Sequence, residues 1–192
     1  MARNVEFDEQ LAVSKAMDVF WRKGYNGTTM RDLTEAMGIN SSSLYNTIGD
    51  KHELFIRSLK HYTESRMSAA LKQLEPIKSP IKAIEKFIQS SAYAITNEPD
   101  SCLAIKTTFE VASTDMQVQQ IIKADNDFTY NLLITLVERA IEKGEIKASQ
   151  DAAMLTDYII NHFTGWHESF IIHKDKTRIK KMATFLVQQL SL

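Results

Sequence analysis

Cysteine is almost absent from this chain: Cys102 is the single one in 192 residues. One thiol cannot close an internal disulfide, so the chain is expected to live in a reducing compartment, the cytoplasm. Proline (3) and glycine (6) are scarce and stand at boundaries between patterns rather than inside them. Alternation of β-branched residues is nearly missing, whereas apolar residues recur at spacings of three and four; together these exclude a sheet protein and predict an all-α fold. Net charge is −1, so no global basic field draws the molecule onto nucleic acid, and any such contact must be local. The longest apolar run, residues 132–137 with a threonine inside, is far too short to cross a bilayer, and the opening MARNVEFDEQ has no apolar stretch behind its arginine as a secretory signal would. No membrane partner is therefore expected. Also missing are a phosphate loop, a nucleophile elbow, paired cysteines and metal-ligand spacing. His162, His167 and His173 are five and six residues apart, not the four that would place a ligating pair on one helix face. No enzyme, metal site or cofactor is expected.

What is present is a succession of helical patterns between stop signals. The first runs over residues 8–23, with Ala12, Ala16, Val19 and Phe20 on one face and Gly24 ending it. A short helix over 29–37 opens on Thr29 and Asp32 at capping-box spacing and is stopped by Gly38. Another spans 41–47 and breaks at Gly49. Asp50 with Glu53 then caps a long helix reaching about residue 73. Pro76 and Pro80 bracket a connector, and five further helices fit 80–96, 102–112, 115–143, 151–173 and 177–190.

Two short helices joined by a glycine-containing turn, the second led by small polar residues, have the shape of a helix-turn-helix. Leu33, Ala36, Met37, Ile39 and Leu44 would form its core, leaving Ser41, Ser42, Ser43, Tyr45 and Asn46 outside. Small hydroxyls and an amide can enter a major groove and bond base edges, Asn being suited to adenine. Tyr45 and Lys51 can hold phosphates. On spacing alone the same residues serve as turns and caps of an ordinary bundle. Charge does not decide between these readings, because residues 1–60 hold eight basic and eight acidic groups.

The segment Phe20-Trp21-Arg22-Lys23-Gly24-Tyr25-Asn26-Gly27-Thr28-Thr29-Met30-Arg31-Asp32-Leu33 resembles the start of the TetR/AcrR family of transcriptional regulators. The continuation from Ala36 to Leu54 resembles that family's recognition segment: a Gly-apolar-polar turn, the Leu44-Tyr45 pair, an apolar residue three past the tyrosine, and the Lys51-x-Glu53-Leu54 opening of the next helix. The resemblance covers about the first 60 residues. It implies nine helices, a helix-turn-helix domain over 1–50, and a ligand-binding and dimerisation domain over 51–192. It further implies a ligand-released repressor that binds double-stranded operator DNA as a homodimer. By the same resemblance Thr28 and Thr29 hold backbone phosphate, Tyr45 and Lys51 clamp phosphates, and Ser41, Ser42 and Asn46 sit where bases or nearby phosphates are reached; Arg31 and Ser43 are expected at the DNA as well. Many family members carry a ring at the Asn46 position and Phe at the Ile48 position.

For the second domain the resemblance implies a cavity for a small, hydrophobic or amphipathic effector. Met67, Phe87, Phe109 and Trp166 would be its walls, with Tyr93, Asn161 and His162 able to orient the ligand. Cys102, at a helix start, is either a sensor of electrophiles, as in some relatives, or an inert buried thiol. Near-heptad apolar residues Leu155, Ile159 and Trp166, then Met182, Leu186 and Leu190, would pair across a two-fold axis.

Overall fold

The computed structural model describes residues 8–97 and 102–190, with the side chains of Ser43 and Thr47 outside that description. Among the described residues there are nine α-helices and no strand: α1 (Glu9–Lys23), α2 (Met30–Met37), α3 (Ser41–Thr47), α4 (Lys51–Leu74), α5 (Pro80–Asn97), α6 (Leu103–Glu110), α7 (Met116–Glu142), α8 (Ala152–His173) and α9 (Lys176–Leu190). The starts follow from side chains that satisfy first-turn amides. Asp8 accepts from Leu11 N at 3.1 Å, Asp50 from Glu53 N at 2.9 Å, and Asp151 from Met154 N at 3.0 Å. The second capping box is complete, because Asp50 N also donates to Glu53 Oε2 at 3.1 Å.

By packing, the chain forms two compact units. The first comprises residues 1–65 and 103–122, and the second residues 66–102 and 123–192. Packing groups α6 and the start of α7 with the helix-turn-helix, whereas the resemblance divides the chain by role at residues 50 and 51. The chain therefore crosses between units within α4, before α6, and within α7.

In the first unit Phe20, Leu33, Leu44, Leu54, Phe55 and Leu59 have no solvent exposure. Fully burying each such side chain contributes about 1.5–3 kcal/mol relative to exposure. Phe20 meets Phe55 edge-on at 5.0 Å, and Trp21 meets Tyr62 at 5.1 Å. Ile48, the residue after α3, is buried.

The second unit is built on Ile84, Ile88 and Ile95 of α5, Leu133 and Val137 of α7, Ile159 and Trp166 of α8, and Ile179, Leu186 and Leu190 of α9. One polar cluster interrupts this interior. Arg66 Nη1 on α4 donates to Asp125 Oδ2 on α7 at 3.2 Å, and His167 on α8 lies in the field of the same guanidinium. Burial, then Arg66, pushes the His167 imidazole down to about 4, so it stays neutral near pH 7. Burial raises the Asp125 carboxyl, with Arg66 opposing.

Candidate nucleic-acid interface

The second helix of the motif is short because only eight residues lie between Asn40 and the break at Gly49, seven of them helical. Leu44 (unexposed) and Ile48 pin it to the core. This forces Ser41, Ser42, Tyr45 and Asn46 outward onto one side, where all four are exposed. The face is uncharged, short-chained apart from Tyr45, and rich in donors and acceptors, a chemistry suited to hydrogen bonds with base edges and with phosphate oxygens. Ser43 belongs to α3, but its side chain lies outside the described residues.

The α1–α2 corner beside it is heavily tied. Thr29 forms the expected capping box: Asp32 N donates to Thr29 Oγ1 at 3.1 Å, and Thr29 N donates to Asp32 Oδ2 at 2.9 Å. Lys23 Nζ donates to Asp32 Oδ1 at 2.5 Å, and that bond with those from Thr29 holds Asp32 well below the usual carboxylate range. Arg31 is exposed and paired with Glu35 at 2.7 Å. Thr28 is not available to a phosphate, correcting the expectation for it. It is 2% exposed, and its hydroxyl donates to Gly24 O at 2.6 Å, closing the end of α1.

Lys51, the first residue of α4, sits with its ammonium 4.4 Å from the centre of the Tyr25 ring. Tyr25 is in turn held by its backbone. Tyr25 N and Asn26 N donate to the two oxygens of Glu110, at 3.1 and 2.7 Å, while Lys106 Nζ donates to Trp21 O at 2.6 Å. One turn of α6 thus presents a cation to the carbonyl end of α1 and an anion to the amides just beyond it. At Gly24, φ is +75°, and an added Cβ would lie 2.7 Å from Glu110 Oε2, so both backbone conformation and space demand glycine. The start of α6 is fixed as well, Leu103 N donating to Tyr62 Oη at 3.3 Å. Finally, His52 Nε2 meets Asp115 Oδ2 at 2.6 Å, and the other oxygen of Asp115 caps α7 through Gln117 N and Val118 N. Glu110, Lys106 and Asp115 were not among the expected functional residues. Their partners are 63–85 positions away, and no local pattern reports such pairings.

The sequence profile described as bacterial regulatory proteins, tetR family, matches residues 12–57, and that described as tetracyclin repressor-like, C-terminal domain, matches residues 80–186. The chain is 32% identical over 168 residues to the uncharacterized HTH-type transcriptional regulator YezE of Bacillus subtilis, spanning 83% of this chain and 84% of that protein. It belongs to the TetR family. A second relative, the HTH-type transcriptional repressor ComR of Escherichia coli, is 26% identical over 80% of this chain and 74% of its own length. The solved complex of CifR, a TetR family regulator, with 26-bp operator DNA superposes with a TM-score of 0.84 at 24% identity, covering 97% of this chain and 98% of that one. The protein is a DNA-binding transcriptional regulator and not an enzyme, as its family and relatives are.

The residues expected to line an effector cavity are spread over both units: Phe109 is 76% exposed on α6, in the first unit, and Tyr93 is 69% exposed on α5, in the second. Trp166 is 3% exposed and packs edge-on against Phe163 and His162, and Phe87 meets Phe163 at 5.8 Å. Met67 is half-buried. Asn161 and His162 bond back to their own helix, at Asp157 O (2.8 Å) and Tyr158 O (2.6 Å). These aromatics fill one another's space, as close packing in a helical interior favours. An open cavity of about 700 Å³ lies elsewhere in the second unit, among the end of α4, the start of α5 and the middle of α7. Leu71, Leu74, Leu132 and Leu136 form its apolar walls, with Lys72, Lys78 and Arg139 among its polar residues.

Four residues of the seam expected from heptad spacing need correction: Ile159, Trp166, Leu186 and Leu190 are 0–3% exposed within the single chain, so their spacing reports intramolecular packing, whereas Leu155 and Met182 are only partly buried against the same core. The exposed apolar residues of these helices are Met154, Tyr158, Ile171 and Ile172 on α8 and Phe185 on α9. Cys102 is buried.

Proposed function

We propose that the protein is a repressor that binds a two-fold-symmetric operator as a homodimer through α3 and is released by a small molecule. The observation that carries this reading is the exposed, uncharged face of Ser41, Ser42, Tyr45 and Asn46 on a helix pinned by Leu44 and Ile48. Asn46 and Ser42 read base edges. Tyr45 and Lys51 hold phosphates, with Thr29 and Arg31 beside them and Ser41 and Ser43 at the groove edge. Residues 1–50 do the reading, and 51–192 dimerise and sense.

One α3 contacts only a few base pairs. Two tethered copies multiply affinity, which is why a half-site reader of this size needs a partner copy. Met154, Tyr158, Asn161, Gly165 and Ile172 fall within one stripe of α8 at helical spacing, and an added Cβ at Gly165 would meet nothing within 4 Å. A stripe with a glycine at its middle lets a second helix come close. The effector, apolar or amphipathic, has a volume and wall chemistry suited to it in the 700 Å³ cavity of α4, α5 and α7. Both α4 and α7 continue into the reading unit, so a ligand that prefers one arrangement of these helices biases the DNA-binding end.

Selection of bound duplexes from a randomised pool tests the reading. Enrichment of an inverted repeat is expected, with half-sites related by the two-fold axis of a dimer. Enrichment of a single asymmetric site would reject the dimeric mode, and no enrichment would reject sequence reading by α3.

A further inference from the structure

Five of the chain's 23 lysines and arginines lie in the eight residues 174–181, against one acid. This is the corner between α8 and α9, and Lys174, Lys176, Arg178, Lys180 and Lys181 are all exposed there. The surplus stands out in a chain whose net charge is −1 and whose first 60 residues balance to zero.

Two features of the corner go against local stability. The start of a helix carries positive dipole charge, so cations there are unfavourable and acids are preferred. Yet the first turn of α9 holds Lys176 and Arg178 and no acidic residue. Before it, Lys174 has φ 51°, the sole non-glycine left-handed residue among those described. A lysine is strained at a position that glycine or asparagine occupies freely. The one acid, Asp175, is committed to capping: its Oδ1 accepts from Arg178 N at 3.0 Å. Lys176 donates to a neutral group, Asn97 Oδ1, at 3.0 Å, and Lys174 lies over the Phe170 ring at 5.5 Å. Among the described residues no carboxylate side chain pairs with Arg178, Lys180 or Lys181. One capping acid against five cations is incomplete compensation, and residue choices that break local rules in this way are expected at functional surfaces.

We infer that the α8–α9 corner is a second phosphate-binding surface for duplex DNA, separate from the helix-turn-helix. The inference rests on the protein's DNA-binding role. The partner chemistry follows from the side chains: flexible point charges spread over two turns suit a repeating line of phosphates and carry no base discrimination. The corner therefore adds affinity and salt dependence, and leaves sequence choice to α3.

The test uses the full-length protein and a mixed-sequence 30-bp duplex, with affinity followed against salt concentration. Each lost phosphate contact lowers the log–log slope by about 0.9. Arg178→Gln/Lys180→Gln/Lys181→Gln is expected to lower it by about two to three units, with helical content unchanged. Lys82→Gln/Lys86→Gln/Lys147→Gln removes the same charge from the same unit and should leave the slope as it was. Lys180→Arg/Lys181→Arg should retain the wild-type slope. Lys174→Gly should lower the slope by about one unit without lowering the melting temperature, which a purely structural lysine would not do. An unchanged slope in the corner triple variant, or an equal fall in both triple variants, overturns the inference. So does a corner variant that loses binding to an acidic protein or an anionic vesicle while its slope on duplex DNA is kept. Lys51→Ala separates the two readings: it should lower the slope by about one whatever the corner does. If wild-type protein binds no duplex and Lys51→Ala changes nothing, the DNA-binding reading itself has failed.

Discussion

Glu110→Ala is expected to leave the second unit folded and to cripple DNA binding. The carboxylate satisfies two amides at once, Tyr25 N and Asn26 N. Hydrogen bonds to a charged group contribute about 1.5–3 kcal/mol each, and the partial exposure of this corner places the pair toward the lower end of that range. Alanine would thus destabilise the reading unit by about 2–4 kcal/mol, a large share of the stability of a small domain. The effect reaches the interface because Tyr25 is the platform under Lys51, which begins α4 next to α3. Glu110→Gln keeps an acceptor but sets an NH2 against one of the amides, so it should fall between wild type and alanine. Gly24→Ala should fail for a different reason. It needs a left-handed alanine and drives Cβ into Glu110, and it should therefore be partly relieved in a Glu110→Ala background, where the clash is gone and the strain remains. Hydrogen exchange at the amides of residues 25 and 26, with urea unfolding of each single and double variant, would measure this. Full protection of those amides in Glu110→Ala would show that the clamp does not matter.

Tyr158→Asp/Ile172→Asp is expected to split the dimer while each chain stays folded. Both residues are exposed in the single chain, at 45% and 64%, so aspartate there costs the isolated fold little. On a helix face proposed to pack against its own symmetry mate, four carboxylates would be buried or opposed. Sedimentation at micromolar concentration should fall from about twice the 21.9 kDa chain mass to that mass. Operator affinity should drop by about 10²–10⁴ as the tethering of two half-site readers is lost. Leu186→Asp makes the contrast: it lies in the core of the second unit at 1% exposure, so it should unfold that unit rather than separate subunits. A double variant that remains a dimer would place the interface on another face.

Much of this was legible in the sequence where physics is local. Capping boxes at Thr29 and Asp50, and stops at Gly24, Gly38 and Gly144, locate the observed helices to within about two residues at most ends. They do so because a cap and the helix it starts are neighbours in the chain. The outward side of α3 was legible too, since Leu44 and Ile48 leave one inward direction for so short a helix. What could not be read were pairings across distance. Heptad-like spacing on α8 and α9 is the same whether a stripe meets α5 in its own chain or a second subunit, and the structure gives Ile159, Leu186 and Leu190 to the former. Aromatic composition around Phe87 and Trp166 likewise cannot separate a cavity wall from rings that fill one another's space. The family resemblance points to Phe109 as a cavity wall, whereas its neighbour Glu110 makes the contact that holds the amides of Tyr25 and Asn26.

Whether α3 reads sequence through its short polar side chains is decided by comparing wild type and Asn46→Ala on the selected operator and on mixed-sequence DNA of equal length. If Asn46 bonds a base edge, the variant should lose about 1–3 kcal/mol on the operator, close to none on mixed-sequence DNA, and tolerate substitution at the one base pair it no longer reads. An equal loss on both duplexes would make Asn46 a backbone contact and contradict the account.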